Sequence, residues 1–363
     1  MKLVICGDVT VTPESYPHFN NANEKSAFGD VLEVFKSADR VIVNLECAIT
    51  QSDNEIRKFG PCLKAPLNTA YTLKKAGITD CALSNNHIFD FGVEGLRDTI
   101  NALEKQKIKW TGIGKNYEAS RKNHTITVGE ITVSVINVCE HEYSYATSNR
   151  VGARPFDEFE TMQDIRLAKK EADYVVVIYH GGKELCSYPS PRLMKACHEM
   201  VRCGADCVLC QHSHIIGCYE NFEGGHILYG QGNFHFAKND KSWRSGLITM
   251  LNIDKDGINI DFIPVSVENG TVRIADEENN IEILSAMEKI NKSLSDGTWK
   301  EYWHEFCVSR YEDYKRAFCG YNVDDDEDKT QYFAHTLDCE AHTDVWRELF
   351  KTWNYTNELG KEL

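Results

Sequence analysis

The architecture of this chain is easiest to read from one segment, Gly204-Ala205-Asp206-Cys207-Val208-Leu209-Cys210-Gln211-His212-Ser213-His214. Its mostly apolar run from Ala205 to Cys210 follows a glycine and predicts a buried strand. Because residues two apart in an extended chain face the same side, His212 and His214 can point into one site. Imidazole is the commonest metal ligand among side chains, so the pair is a candidate half of a metal centre. Two solvated loop histidines explain this segment equally well when it is considered by itself.

Composition and charge limit the classes of protein to which this chain can belong. Its 363 residues are enough for one large domain, or for a domain with an appendage. A hydrophobic fraction of 42% and a charged fraction of 26% are typical of an ordinary soluble globular protein. The formal net charge of −15 argues against nucleic acid as a partner, because phosphate backbones attract basic surfaces.

The amino terminus predicts a strand and no export signal. Its apolar run, Leu3-Val4-Ile5-Cys6, is too short for a signal peptide and soon meets Asp8. No segment approaches the length needed to cross a bilayer, so we expect a cytoplasmic protein without a membrane anchor. The 14 cysteines are then expected to be reduced. Cys207 and Cys210 would face opposite sides of a strand, which favours buried structural thiols over a zinc or redox pair.

Strand-like and helix-like segments alternate over the first 267 residues, which predicts a layered α/β fold. The predicted helices are Phe28–Ser37, Asn68–Lys75, Val93–Gln106, Asp157–Lys170 and Pro191–Cys203. The predicted strands are Lys2–Cys6, Arg40–Leu45, Ile78–Ser84, Asp173–Tyr179, the opening segment, and a hairpin of Ile126–Val128 with Ile131–Val138. Three later segments, His226–Tyr229, Leu247–Ile253 and Ile258–Val267, predict strands of a more antiparallel kind.

After about Val267 the pattern changes to helices rich in aromatic residues. Ile281–Leu294, Trp299–Phe318 and Asp344–Trp353 have apolar residues at helical spacing, and the acidic run 324–328 predicts a solvated loop. An aromatic stripe of this kind is more often core than ligand site. We therefore expect one domain over residues 1–270 and a C-terminal helical extension over 271–363, which flanks the main domain and could also flank its cleft.

Five strand-like segments each end in a residue type that binds metals or transfers protons. These residues are Asp8, Glu46, Asn86-His87, His180, and His212 with His214. In layered α/β sheets, sites form beyond the carboxyl ends of the strands, so this placement can bring distant residues together. One polar residue at a strand end is ordinary, but five of these types are hard to obtain from solvated loop ends.

The chemistry of this set is that of a two-metal site. Two carboxylates, one carboxamide oxygen and three imidazoles can hold two divalent cations close together. Such a pair lowers the pKa of a shared water to supply hydroxide, and clamps the attacking and leaving oxygens of a phosphoryl group. Glu46 is the candidate bridging carboxylate. His87, beside a ligating Asn86, is placed to donate a proton to the leaving oxygen.

Seven spaced motifs occur together in one order along the chain. They are Gly7-Asp8, Asn44-Leu45-Glu46, Asn85-Asn86-His87 with Asp90 and Gly92, His180-Gly181-Gly182-Lys183-Glu184, Gly204-Ala205-Asp206, His212-Ser213-His214 and Tyr229-Gly230-Gln231-Gly232-Asn233-Phe234. Through them the sequence resembles the bacterial CapA family of poly-gamma-glutamate capsule biosynthesis proteins, a family similar to the calcineurin-like metallophosphoesterases. The resemblance spans about residues 1–267. It implies a layered metallophosphoesterase-like β-sandwich flanked by helices, in front of the helical extension.

The resemblance also implies roles for individual residues. Asp8 and His214 would bind one metal, Glu46 would bridge, Asn86, His180 and His212 would bind the second metal, and His87 would donate the proton. Asp8 is followed by Val9-Thr10 where the wider family has Asp-x-His, so the first metal has one ligand fewer, and the bridging acid is Glu rather than Asp. We therefore expect one tightly and one loosely held divalent ion, drawn from Mn, Zn, Fe or Mg.

Other residues are candidates for substrate contact or for support of the ligands. The resemblance implies that Glu184 and Asn233 lie near the site, and His235 beside them is unusual. His141 follows another strand end, where a solvated loop is the alternative. The remaining histidines have no such context in the sequence; these are His18, His124, His198, His226, His304, His335 and His342.

Three functions are compatible with these observations. The first is a metal-dependent phosphoesterase or related hydrolase, and the second is a capsule-assembly protein that binds or processes poly-gamma-glutamate. The third is a degenerate site kept only for folding. The expected partner is a small anionic or polyanionic substrate, either a phosphoester or polyglutamate. The absence of a membrane anchor in the sequence argues against a role in capsule export.

Overall fold

The computed structural model describes residues 1–236, 243–320 and 327–355, which form two large β-sheets with helices on their outer faces and two small two-stranded sheets. The strands in chain order are β1 Lys2–Val9, β2 Arg40–Leu45, β3 Ala48–Ile49, β4 Lys64–Ala65, β5 Asp80–Ala82, β6 Lys109–Thr111, β7 Ile113–Gly114, β8 His124–Val128, β9 Ile131–Cys139, β10 Gly152–Ala153, β11 Tyr174–His180, β12 Cys207–Gln211, β13 Tyr219–Phe222, β14 Gly225–Leu228, β15 Asn233–His235, β16 Ser245–Ile253, β17 Ile258–Glu268 and β18 Thr271–Ile274. The two small sheets are β3-β4 and β7-β10.

The helices fall into a group within the sandwich and a group that follows it. The first group is α1 Tyr16–Asn20, α2 Glu24–Phe28, α3 Val31–Lys36, α4 Thr69–Ala76, α5 Gly92–Lys105, α6 Tyr117–Ser120, α7 Glu158–Glu171 and α8 Pro191–Arg202. The C-terminal group is α9 Glu277–Asp296, α10 Trp299–Ser309, α11 Tyr311–Gly320, α12 Glu327–Asp338 and α13 Glu340–Tyr355. Within the described ranges, no helix combines the length and apolar character that crossing a bilayer requires.

Each large sheet has a parallel centre, which determines where polar residues collect. The first sheet has the order β18-β17-β16-β1-β2-β5-β6, with β15 also paired to β1, and β1, β2, β5 and β6 run parallel. The second has the order β13-β14-β12-β11-β9-β8, with β9, β11, β12 and β14 parallel. The carboxyl ends of parallel neighbours share one edge of a sheet, so residues that follow them become neighbours.

Three apolar clusters show how the layers stack. One joins the facing sides of the two sheets, with Leu3 and Ile5 of β1 in the same cluster as Val176 and Leu209. A second lies between the outer face of the first sheet and α1 to α5. A third lies between the outer face of the second sheet and helices α7 and α8. The layered α/β sandwich flanked by helices, with a helical C-terminal segment, is therefore confirmed.

The two cysteines of the β12 segment support this layering. Cys207 belongs to the cluster between the sheets, whereas Cys210 belongs to the cluster under α7 and α8. Both are fully buried free thiols. As predicted, they face opposite sides of the strand and are not placed to chelate one ion.

The structure divides two segments that the sequence predicts as single helices. The predicted helix Phe28–Ser37 is interrupted at Gly29. The φ of Gly29 is +46°, and a Cβ at this position would lie only 2.9 Å from the carbonyl oxygen of Val272, so both features favour glycine. Trp299–Phe318 is divided at Arg310 into α10 and α11. The first sheet also continues past residue 270, through β18. In the acidic run, residues 324–326 lie outside the described residues and the last two begin α12.

Candidate metal centre

The residues at the ends of the parallel strands meet at one edge of the sandwich. Two overlapping groups, Asp8–Glu46–His180 and Glu46–His212–His214, have ligand atoms that all lie within 4.8 Å of one another. All five of these residues are buried. Glu46 is common to both groups, and its Oε1 lies 3.3 Å from Nε2 of His180. The structure therefore gives Glu46 the central position that suits a bridging carboxylate.

Amide side chains fix the orientation of this set. Asn44 donates from Nδ2 to Oδ1 of Asp8 at 2.6 Å, and Asn85 in turn donates to Oδ1 of Asn44 at 3.0 Å. Oδ1 of Asn86 lies 3.0 Å from Nε2 of His180. The carboxamide that the sequence places after β5 therefore lies beside the imidazole that ends β11.

The backbone just after β12 is strained where the two histidines lie. His212 and His214 have φ values of +82° and +57°, in the left-handed region that non-glycine residues seldom occupy. The turn lets the His212 N–H donate to Oδ2 of Asp8 at 3.1 Å, and Nδ1 of His214 lies 3.7 Å from the same oxygen. Backbone strain of this kind is commonly found at functional sites.

Several buried polar atoms in this cluster lack the partners that burial normally requires. Neither carboxylate oxygen of Glu46 accepts a hydrogen bond from any residue that the structure describes, and Nδ1 of His212 likewise has no partner among them. A buried polar group without a hydrogen bond costs free energy, and a buried charge without compensation costs more. Carboxylate oxygen and imidazole nitrogen are also the ligands of divalent cations such as Zn and Mn. The donor set therefore fits one or two divalent ions.

The pKa values at this edge have the same physical cause. Burial raises the pKa of Asp8 to about 7, with a further contribution from the charge of Glu46. Burial, together with the charges of Glu142 and Glu184, raises the pKa of Glu46 well above its usual value. Burial lowers the pKa values of the three imidazoles, those of His180, His212 and His214. The imidazoles are thus held in the neutral form that binds metal.

His87 lies beside this cluster and is held through one ring nitrogen. Its Nδ1 lies 2.7 Å from Oδ2 of Asp90 and 3.1 Å from Nζ of Lys58, which also pairs with Asp90. Burial and the charge of Lys58 lower the pKa of His87 to about 4. With Nδ1 occupied, Nε2 is the nitrogen left for proton exchange. Lys58 has no signal in the sequence that separates it from an ordinary surface lysine.

The structure separates the other candidate residues into two groups. Oδ1 of Asn233 lies 2.9 Å from Nδ1 of His214, and the half-exposed Glu184 lies close enough to perturb the pKa of Glu46. His141 instead lies 2.6 Å from a carboxylate oxygen of Glu340 in α13.

His235 points away from the candidate centre. It packs edge-on against Phe19 and Phe28, and its Nε2 lies 3.1 Å from the Ala27 carbonyl. The expectation that His235 approaches the site is therefore not met. In a regular strand Asn233 and His235 would face the same side. The pairing of β15 with β1 shifts register between Asp8, which pairs with Asn233, and Val9, which pairs with His235, so the two side chains part.

Two residues that the sequence did not single out lie at this edge. Glu142 follows β9, and its Oε2 lies 3.7 Å from Nε2 of His212. His335 comes from α12, with Nδ1 at 3.5 Å from the other oxygen of Glu142. His335 therefore lies beside the candidate centre, although the residues around it in the sequence do not indicate this position. A strand ending in Cys139-Glu140-His141-Glu142 is the one signal that pointed to Glu142.

Comparison with known proteins identifies relatives of this chain. The family model described as "Bacterial capsule synthesis protein PGA_cap" matches residues 2–238. The capsule biosynthesis protein CapA of Bacillus anthracis is 25% identical over 281 residues, which cover 75% of this chain and 68% of that protein. The PGA biosynthesis protein CapA of Bacillus subtilis (strain 168) is 28% identical over 256 residues, covering 68% and 66%. The chain thus spans about two thirds of the length of these relatives.

Solved structures are more distant. One is Vps29 of Entamoeba histolytica complexed with Zn. The match covers 76% of this chain and 97% of the Vps29 chain, at 10% sequence identity and a TM-score of 0.31. A likeness this remote gives no basis for assigning a function. The strongest signal is the family match, which covers most of the sandwich and includes every residue of the candidate centre.

Proposed function

The chain belongs to the bacterial capsule synthesis protein family, and from that premise we propose that it is a metal-dependent hydrolase that cleaves a phosphoester. The observation that carries the proposal is the state of Glu46. This fully buried carboxylate belongs to both groups of ligand atoms and accepts no hydrogen bond from the described residues. Such a group is costly unless cations compensate it.

The residues proposed to hold the ions are those that the strand ends bring together. They are Asp8, Glu46, Asn86, His180, His212 and His214, with one or two ions of Mn, Zn, Fe or Mg. When bound, such ions lower the pKa of a water molecule and offset the negative charge of a phosphoryl group. The shared position of Glu46 supports two ions close together.

The proton required by the leaving oxygen is assigned to His87, whose low pKa leaves the ring neutral with a single N–H, which is on Nε2 when Lys58 donates to Nδ1. Asp90 and Lys58 hold its Nδ1, so the ring presents Nε2 in a fixed orientation. General acid catalysis of this type contributes roughly 10²- to 10⁴-fold to a rate. The substrate proposed is a small anionic or polyanionic phosphoester, since the ions would bind negatively charged oxygens.

Metal analysis followed by a substrate panel tests this function. Protein purified without chelator is expected to contain at least one transition metal per chain, and to hydrolyse members of a phosphomonoester and phosphodiester panel. EDTA should abolish turnover, and one of Mn, Zn, Fe or Mg should restore it. Protein that binds metal and turns over no phosphoester across the panel would refute the proposal.

A second candidate function is the handling of poly-gamma-glutamate. The observation that favours it is the similarity to the two Bacillus CapA proteins, whose names refer to capsule and PGA biosynthesis. In that case the ions would hold carboxylates of the polymer. Binding or cleavage of purified poly-gamma-glutamate, together with a changed capsule after deletion of the gene, would support this function. An unchanged capsule in the deletion strain would count against it.

A further inference from the structure

We propose that the C-terminal helices tune the metal affinity of the centre by holding Glu142 against the outer ring nitrogen of His212. This inference rests on the metal site of the proposed function and links it to C-terminal residues outside the family match, which ends at residue 238. It makes Glu142 and Glu340 positioning residues that act on a metal ligand. The elements involved are the loop Glu140–Tyr145, called the clamp loop below, and the junction of α12 with α13.

The junction of α12 with α13 contacts the clamp loop at two residues, His141 near its start and Tyr145 at its end. The carboxylate of Glu340 accepts the backbone N–H of His141 at 2.8 Å, and its second oxygen lies 2.6 Å from the ring nitrogen Nδ1 of His141. The Tyr145 hydroxyl donates to Asp338 at 3.2 Å. These contacts join the loop to helices 199 positions away in the chain, while Arg150 donates to the carbonyls of Tyr143 and Tyr145 from the sandwich side.

The start of the clamp loop is fixed as firmly. Oε2 of Glu140 accepts the N–H of Ala341 at 3.1 Å, while Oε1 accepts the Tyr179 hydroxyl at 2.9 Å and Nη2 of Arg192 at 2.7 Å. Arg192 also donates to Asp344 of α13 at 2.9 Å. The buried ion pairs thus join α8, the clamp loop and α13 into one unit.

In this loop conformation, Glu142 lies between two imidazoles. Oε2 of Glu142 lies 3.7 Å from Nε2 of His212, and Oε1 lies 3.5 Å from Nδ1 of His335. The next residue, Tyr143, has a φ of +52° and stacks on His335 with ring centroids 5.3 Å apart. The strained backbone and the stacked rings show that this conformation is held by its surroundings.

The two ring nitrogens of His212 then have different tasks. Nδ1 is buried without a hydrogen-bond partner among the described residues, so it is the nitrogen free to face a cation. Nε2 faces the Glu142 carboxylate at 3.7 Å, an ion-pair separation that is longer than a hydrogen bond. A metal-bound histidine commonly donates its second N–H to a carboxylate, which fixes the tautomer and strengthens the ligand. Loss of such a partner typically weakens metal binding by about 10- to 100-fold.

Glu340→Gln and Glu142→Gln test the proposal, with Glu348→Gln as the matched control. Glu348 lies on the same helix as Glu340 and also accepts from a histidine Nδ1, that of His304 at 3.0 Å, but this pair lies within the C-terminal helices. The dissociation constants for Zn²⁺ and Mn²⁺ would be measured on the full chain by competition with a chelating dye. We expect both test variants to bind about 10- to 100-fold more weakly, and the control to bind like the wild type.

Thermal unfolding in EDTA separates positioning from general damage. Glu340→Gln and Glu348→Gln should unfold at similar temperatures, so a difference in metal affinity alone supports the proposal. If Glu340→Gln does not fold, Glu142→Gln carries the test. Wild-type affinity in Glu142→Gln would overturn the inference, as would equal affinities of a folded Glu340→Gln and the control. Because no substrate is present, a protein that binds metal as expected but lacks phosphoester turnover would refute only the proposed function.

Discussion

The structure contains two buried acidic clusters that differ in how their oxygens are satisfied. At the sandwich edge, both oxygens of Glu46 lack hydrogen-bond donors among the described residues. At the clamp loop, Glu140 lies equally deep but accepts from Tyr179, Arg192 and Ala341. Glu140 also belongs to a group of potential ligands with Cys339 and Glu340. Proximity of ligand types therefore does not distinguish the two clusters, whereas the unmet hydrogen-bonding capacity of Glu46 does.

The pKa values express the same difference. Burial raises the pKa of Glu46 well above its usual value, and neighbouring acids raise it further. Burial also acts to raise the pKa of Glu140, but Arg192 and Tyr179 outweigh it and leave that pKa lowered. The clamp cluster is thus a satisfied ion network, whereas the edge cluster keeps buried acceptor atoms that the proposed cations would compensate. Four substitutions test this distinction.

The largest effect is expected for His212→Ala. Removing this imidazole takes a ligand from one of the two groups around Glu46, so bound metal should fall from at least one ion per chain to a trace, and turnover with it. Elemental analysis of the purified variant gives the measurement. His198→Ala is the control, because His198 pairs with Glu220 and stacks on Phe222 away from the centre. Equal metal content in wild type and His212→Ala would contradict the assignment.

The next effect is expected for His87→Gln, which removes the proposed proton donor and leaves the ligands in place. The turnover number should fall by about 10²- to 10⁴-fold while the metal content stays that of the wild type. Steady-state kinetics on the best substrate of the panel, with metal analysis in parallel, measures both. His235→Gln is the comparison, since His235 is also a buried imidazole with a pKa of about 4 but packs against α1 and α2. A similar loss in both variants would remove His87 from the chemistry.

Arg192→Met examines the clamp cluster. It leaves the Glu140 and Asp344 carboxylates buried without their cation, which should lower the free energy of unfolding by about 3–5 kcal/mol. Urea unfolding in EDTA gives the value. Arg202→Met, which breaks an exposed pair with Glu223, should cost no more than about 1 kcal/mol. Equal costs for the two variants would show that the clamp network is not a structural ion network.

The smallest effect concerns the pH dependence of the metal-free protein. The pKa of Asp8 is about 7 in the fold against an ordinary 3.8, so the folded state favours the protonated acid. Stability from this group is complete below about pH 4 and is lost as the pH rises towards 7. The loss amounts to no more than about 4 kcal/mol, from 1.36 kcal/mol per pKa unit.

Asp8→Asn removes this titration. Urea unfolding in EDTA at several pH values between 4 and 8 should show a smaller decline for Asp8→Asn than for the wild type. Parallel curves for the two proteins would show that Asp8 is not destabilised by burial. Saturating metal should reduce the wild-type decline, because cations compensate the ionised carboxylate.

Much of the site was predictable because it depends on strand ends. Asp8 and His180 lie at the ends of parallel strands and Glu46 and His212 come directly after such strands, so the sheets bring all four to one edge of the sandwich. The opposite faces of Cys207 and Cys210 follow from the two-residue period of a strand in the same way. These are local patterns whose spatial consequence is fixed by the sheet.

The clamp was not predictable, because its contacts join residues about two hundred positions apart. Nothing in the helical period of α12 indicates that His335 lies beside Glu142. Nor does the sequence indicate that His141 pairs with Glu340 of α13. The placement of His235 was missed for a related reason. Its position beside Asn233 suggested a shared site, whereas its ring packs among the phenylalanines of α1 and α2. Long-range docking has no periodic signal in a single sequence.

The left-handed backbone of His212 and His214 has a consequence for protein engineering. Each such residue costs about 1–3 kcal/mol, whereas glycine adopts the same conformation freely. A library selected for heat resistance in metal-depleted medium should therefore enrich glycine at both positions. Under the proposed function such variants would be more stable but would lose two metal ligands, so selection for stability would need metal in the growth medium and a parallel assay of metal binding.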